Sequence, residues 1–230
     1  MSTQTAGWTA PGTPAGPGEG LRERKKRLMR QKLSGTATAM FLERGFDAVR
    51  VTEVAEACGV SEKTVFNYFP TKESLVLDRL ETTVESLRTG LTDPAVRPVQ
   101  AALAILDREL SGMTAWLAAQ DDPVRAGQAI RRFGDLIRAT PSLRAYQADM
   151  MDQFASVATQ ILAARAGMST GDPEPQIAAR ALLGLWHVQA DSLRHHLHGS
   201  LAPAQVHKLV TADVRRAAQL IDTGLRSFAR

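Results

Sequence analysis

Three dipeptides divide the second half of the chain: Asp122-Pro123, Thr140-Pro141 and Asp172-Pro173. Each sets a side-chain oxygen just before a proline. That is the pattern of an N-cap followed by proline at the first helical position, where the missing N–H costs no hydrogen bond. Pro98 and Pro203 sit near further helix starts. Between these marks apolar residues recur at three- and four-residue spacing over segments of roughly 15 to 27 residues, and no segment alternates as a strand does. A chain punctuated in this way reads as all-α. About nine helices are expected, four in a small N-terminal module and five in a larger C-terminal bundle.

Composition narrows the class. At 230 residues, 44% hydrophobic and 23% charged, the chain has the balance of a folded protein rather than a disordered one. No apolar run is long enough for a transmembrane helix, the N-terminus has no apolar stretch of the signal-peptide kind, and no membrane partner is expected. A single cysteine, Cys58, allows neither an intrachain disulfide nor a cysteine-based zinc site, which points to the cytoplasm. Residues 1–20, with five glycines and three prolines, read as a disordered tail. The expected division is this tail, a small helical module over 21–70 and a larger helical domain over 71–230. The first helix should run from about Arg22 to Arg44 and stop at Gly45. Short helices over Glu53–Cys58 and Glu62–Phe69 follow. A longer fourth helix is expected from Thr71 to about Thr89. The overall charge of +4 says little, but Arg22–Lys32 holds seven basic residues against Glu23 alone, a candidate footprint for a polyanion or else a solvated basic helix face.

The stretch from Val51 to Phe69 fits a helix-turn-helix. Val54, Cys58, Val60 and Val65 supply the apolar positions that pack two short helices together, and Ala55 is small where the second crosses the first. Gly59 stands where the turn needs positive φ, and Ser61 is a natural N-cap for the second helix. Phe41, Phe46, Leu75 and Leu80 are available to complete a core. The second helix is the reader: Lys63 and Thr64 point outward in its first turn while Val65 and Phe69 face inward. In such motifs the first residues of this helix reach base edges in the major groove. Lys63 can donate to guanine, and Thr64 can hydrogen-bond a base or touch a thymine methyl. Asn67 lies one turn on. Tyr68 and Lys72 suit phosphates, which set register rather than sequence. Thr52 and Thr71 stand at helix starts, where backbone N–H groups favour a phosphate. The expected DNA-binding set is therefore Thr52, Ser61, Lys63, Thr64, Asn67, Tyr68, Thr71 and Lys72.

From Phe41 to Leu75 the chain resembles the DNA-binding domain of the tetracycline-repressor (TetR) family of bacterial regulators. The resemblance rests on Phe41, Gly45-Phe46, Val51-Thr52, Val54-Ala55, Ala57, Gly59-Val60-Ser61, Thr64-Val65-Phe66, Tyr68-Phe69, Lys72-Glu73 and Leu75. It implies phosphate contacts from Thr52, Tyr68 and Lys72 and a variable reading face at Lys63, Thr64 and Asn67. Phe66 departs from the tyrosine common in the family, so a phosphate hydrogen bond is expected to be missing there, with Phe66 packing instead. The basic segment Arg22–Lys32 lies immediately before the module, where it could follow the DNA backbone or minor groove.

The resemblance also implies a C-terminal domain that binds a small ligand and dimerises. Met113, Trp116, Phe133, Met150, Met151, Phe154, Trp186 and His187 are as a set the candidate pocket, although any one methionine or aromatic of such a stripe more often makes ordinary core. The last two helices, about Glu174–Leu197 and Pro203–Phe228, are the expected dimer element, with Val206, Leu209, Val210, Val214, Ala217, Leu220 and Ile221 as its face. The alternative is that this stripe covers the chain's own core. His195, His196, His198 and His207 read as a polar rim rather than metal ligands, and no catalytic constellation stands out. The expectation is a non-enzymatic, homodimeric transcriptional regulator without cofactor or metal. It would act as a repressor on near-palindromic double-stranded DNA and be released by a small-molecule effector of unknown identity. The alternatives are a ligand-independent DNA binder and an all-helical enzyme or ligand carrier.

Overall fold

The computed structural model describes residues 20–78 and 80–224 of the chain. Residues 1–19 of the expected 1–20 tail and the segment 225–230, which includes Phe228, lie outside the described residues, as do the side chains of Leu80 and Glu81. Among the described residues there are nine α-helices and one 3-10 turn: α1 (Leu21–Arg44), α2 (Val51–Cys58), α3 (Glu62–Tyr68), the 3-10 turn Glu73–Leu75, α4 (Leu80–Thr92), α5 (Pro98–Ala118), α6 (Pro123–Ala139), α7 (Pro141–Ala166), α8 (Pro173–His196) and α9 (Pro203–Thr223). Five of the nine begin with proline, as the punctuation requires. At α6 the expected cap forms, the Asp122 carboxylate accepting the Arg125 N–H at 2.9 Å. At α8 it does not: the Asp172 side chain turns back and accepts the Ser169 N–H at 2.8 Å, closing the preceding turn instead.

The chain separates into two compact units, residues 1–79 with 129–147 and residues 80–128 with 148–230. In the first unit α1 packs on α2 and on the 3-10 turn, and α2 packs on α3. Leu33, Phe41, Phe46, Val54, Val65, Phe69 and Leu75 are buried there, with the rings of Phe41 and Phe46 tilted against each other at 5.0 Å. Val60 is only half-buried. In the second unit α5 packs against α4, α8 and α9, and α8 packs along α9. Gly90 permits the close α4–α5 approach, since a Cβ there would meet the Ile105 side chain at 3.1 Å.

Two expectations are corrected. No continuous helix leaves Thr71. The Thr71 hydroxyl accepts the Ser74 N–H at 3.1 Å and opens a single 3-10 turn, the backbone leaves helical geometry at Leu77 and Asp78, and α4 begins only at Leu80. The hydrophobic spacing of Leu75, Leu80, Val84 and Leu87 therefore belongs to two separate elements. Residues 71–78 close the first unit, with Ser74, Leu75 and Val76 buried in it. The second correction concerns α9: Val206, Val210 and Val214 are buried within their own chain. They form an i, i+4, i+8 stripe, which covers the chain's own core as the alternative reading had it.

Candidate nucleic-acid interface

Two glycines and one serine set the module's geometry. Gly45 (φ 87°) ends α1 with its N–H bonded to the Phe41 carbonyl at 2.9 Å. Gly59 (φ 69°) ends α2 in the left-handed conformation, and the next N–H, that of Val60, reaches back to the Ala55 carbonyl at 3.0 Å. Ser61 then caps α3, its hydroxyl accepting the Thr64 N–H at 3.1 Å and sitting 2.8 Å from the Thr64 hydroxyl. With Val65 and Phe69 wholly buried, Lys63 and Asn67 are left exposed on the opposite side of α3, and Thr64 is half-buried beside them. Thr52, Ser61 and Thr71 are exposed at the starts of their elements, and Tyr68 is half-buried. The first turn of α2 is tied by Glu53, whose carboxylate accepts the Arg50 N–H and the Arg44 guanidinium, both at 2.7 Å. The Arg44 hydrogen bond, followed by the Arg50 one, holds that carboxyl below its ordinary value.

Lys72 is placed differently from the expected phosphate contact. Its ammonium donates to the Phe46 carbonyl at 2.6 Å and lies 4.3 Å from the Phe46 ring centre and 5.6 Å from that of Phe41. Burial lowers its pKa. Phe66 also departs from expectation. It is 43% exposed on α3 rather than packed, because Val65 and Phe69 already occupy the inward face of so short a helix.

The basic segment divides into two groups. Arg30 is internal: it pairs with Asp78, donates to the Tyr68 carbonyl at 2.9 Å and lies over the Phe69 ring at 4.7 Å. Lys32 donates to the Cys58 carbonyl at 2.9 Å and so neutralises the end of α2. Ser34 adds a bond to the Leu75 carbonyl at 2.9 Å. Sequence reasoning missed these three and the internal role of Lys72. Arg22, Arg24, Lys25 and Lys26 remain exposed on the first two turns of α1.

The candidate pocket residues are dispersed. Met113 and Trp116 lie on α5, Phe133 on α6, Met150, Met151 and Phe154 on α7, and Trp186 and His187 on α8. Phe133 belongs to the first unit and the others to the second. Phe133, Met150 and Phe154 are buried, Met113, Trp116, Met151 and Trp186 half-buried, and His187 exposed. The indole N–H of Trp186 is buried with no hydrogen-bond partner among the described residues. Two open cavities of the second unit are lined by other residues. One of about 240 Å³ lies among α5, α8 and α9, at Leu103, Asp107, Gln189 and Thr211. One of about 420 Å³ lies between α7 and α8, at Ser156, Thr159, Gln176 and Arg180. On the expected dimer face Leu209 and Leu220 of α9 are 38% and 37% exposed, Ala217 and Ile221 half-buried, and Ile177 of α8 is 67% exposed. The histidines meet polar groups: His196 lies 3.1 Å from the Asp213 carboxylate, and His207 lies 3.1 Å from the Ser111 hydroxyl and 3.6 Å from Asp107. No helix among the described residues is long and apolar enough to cross a membrane.

Residues 35–78 match the model of the tetR family of bacterial regulatory proteins, and residues 122–226 match that of the MftR C-terminal domain. A Mycobacterium tuberculosis protein named as the mycofactocin biosynthesis transcriptional regulator MftR is 27% identical over 169 residues, covering 74% of this chain and 81% of that one. The transcriptional regulator TcmR of Streptomyces glaucescens is 29% identical over 195 residues, covering 78% and 81%. Among solved structures, NalD of Pseudomonas aeruginosa, described as the secondary repressor of the MexAB-OprM multidrug efflux pump, aligns with a TM-score of 0.49 at 20% identity, over 84% of this chain and 97% of that one.

Proposed function

Because the chain belongs to the TetR family of DNA-binding transcriptional regulators, we propose that it works as a homodimeric repressor, released from a near-palindromic operator by a small molecule. It acts in the cytoplasm and without enzymatic activity of its own. One observation carries the DNA half of this reading: α3 is capped by Ser61 and anchored by Val65 and Phe69, and it turns Lys63, Asn67 and the edge of Thr64 to solvent. Donors at that spacing on the first turns of a reading helix fit base edges of the major groove. Thr52, Ser61, Tyr68 and Thr71 flank it as phosphate contacts. The dimer would form through the exposed apolar side chains of α8 and α9, Ile177, Leu209 and Leu220, with Ala217 and Ile221 beside them.

The effector would bind in the second unit near Trp116, Phe154 and Trp186. The unpartnered buried indole N–H of Trp186 supports this placing, since a buried donor without an acceptor is costly and a ligand oxygen would satisfy it. Selection of bound fragments from genomic DNA tests the reading. A recurrent inverted repeat is expected, with half-site centres about one helical turn (34–36 Å) or a multiple apart. A chain that enriches no fragment would refute it. Screening metabolites for release of the selected fragment then identifies the effector.

A further inference from the structure

The start of α1 carries charge that its own fold does not use. Leu33 is the first buried side chain of the helix. Before it, Arg30 and Lys32 are bonded inside the module. Arg22, Arg24, Lys25 and Lys26 are exposed and make no side-chain hydrogen bond or ion pair among the described residues. Glu23 is the one acidic residue of this first turn, against these four cations. Cations in a first turn oppose the helix dipole, and Arg22 and Lys26 stand at i, i+4, where like charges repel. Stability alone would favour acidic groups there.

The position of these charges is tied to the reading helix. Arg30 donates to the carbonyl of Tyr68, the last residue of α3, and stacks over Phe69. The four exposed cations lie four to eight residues before Arg30 on the same helix, about 6–12 Å along its axis. They therefore travel with the C-terminal end of α3 as one body. Duplex DNA carries one negative charge per about 1.7 Å of axis. We propose that the first two turns of α1 are a second DNA contact, in which Arg22, Arg24, Lys25 and Lys26 engage phosphates flanking the groove that α3 enters. The inference rests on α3 being the reading helix. It assigns these four side chains to affinity and footprint, and none of them to base choice.

The test uses the full-length protein and an operator selected by the wild type, in long and short forms that differ only in flanking base pairs. The variant Arg22→Gln/Arg24→Gln/Lys25→Gln/Lys26→Gln leaves Arg30 and Lys32 in place. It should bind every sequence more weakly, by roughly tenfold or more at moderate salt, with base preference unchanged. The slope of log affinity against log salt should flatten by about 2 to 4 per protomer. The advantage of the long operator over the short one should disappear. Should this variant melt early, Arg24→Gln/Lys25→Gln carries the same test with about half the change in slope. A folded variant that keeps both the wild-type slope and the long-operator advantage would overturn the inference while leaving the reading role of α3 intact. A wild-type chain that selects no operator would overturn both.

Discussion

At the scale of single residues, Lys72 shows how far a side chain's role depends on partners distant in sequence. Its ammonium is half-withdrawn from water, bonded to the Phe46 carbonyl at 2.6 Å and set over two phenylalanine rings. Replacing it by methionine keeps the stem and removes both interactions. Urea unfolding should show a loss of about 1–2 kcal/mol, while the salt slope of DNA binding stays the same. Lys63→Ala and Asn67→Ala should do the opposite: stability is kept, about 1–3 kcal/mol is lost on the selected operator, and preference relaxes at particular base pairs. Phe66 is the third case, with an apolar ring exposed on a reading helix. A thymine methyl is the base feature such a ring can contact. Substituting deoxyuridine for thymidine through the operator should therefore weaken the wild type at one position per half-site and leave Phe66→Ala indifferent there. The caps and buried positions Gly59, Ser61, Val65 and Phe69 were legible in the sequence because each acts within a few residues of itself. Arg30 and Lys72 were not, because their partners lie 26 to 48 residues away.

At the scale of elements, periodicity located the helices but not what each face meets. The α9 stripe of Val206, Val210 and Val214 has the same spacing whether it covers a partner or its own chain, and burial decides for the latter. Val214→Asp should therefore unfold the second unit, at a cost of about 3 kcal/mol or more from burying an unpaired charge. Leu209→Asp, on the exposed flank, should leave the melt nearly unchanged and halve the mass seen by light scattering. The α8–α9 pairing also has a polar tie. The Asp213 carboxylate accepts from the Ser192 hydroxyl at 2.6 Å, from Arg216 at 2.6 Å and lies 3.1 Å from His196. The Ser192 hydrogen bond, ahead of those from His196 and Arg216, holds its pKa below the ordinary value. A carboxyl with a depressed folded pKa adds stability above its unfolded value of about 3.9, and that stability is lost as pH falls through the folded value. Asp213→Asn should thus destabilise at pH 7 by about 1–2 kcal/mol, and its deficit relative to wild type should shrink below about pH 4.

At the scale of the whole molecule, helix count and the order of the two parts were legible, but the helices common to both units were not. The sequence reads as one continuous fourth helix from Thr71 to about Thr89. Instead the chain crosses between the units at 79/80, at 128/129 within α6 and at 147/148 within α7. A self-bonded 3-10 turn interrupts the first crossing route at Glu73–Leu75. Long-range packing, which no local pattern encodes, makes α6 and α7 the continuous elements with residues in each unit. In the proposed regulation, α6 and α7 are the helices in which an effector's influence on the operator is expected to register, because each has residues in both units. Binding alone shifts nothing; the effector must prefer the DNA-free form. A hundredfold loss of operator affinity corresponds to a coupling of about 2.7 kcal/mol, and the same factor must weaken effector binding when operator is present. Titrating the effector against Trp116 and Trp186 fluorescence, with and without saturating operator, should show that hundredfold rise in its apparent Kd. Hydrogen exchange should differ between the two complexes in α6 and α7. If the apparent Kd rose without limit as operator was raised, rather than levelling at that factor, release would instead be competition at the DNA-binding face, and the second unit would have no part in it.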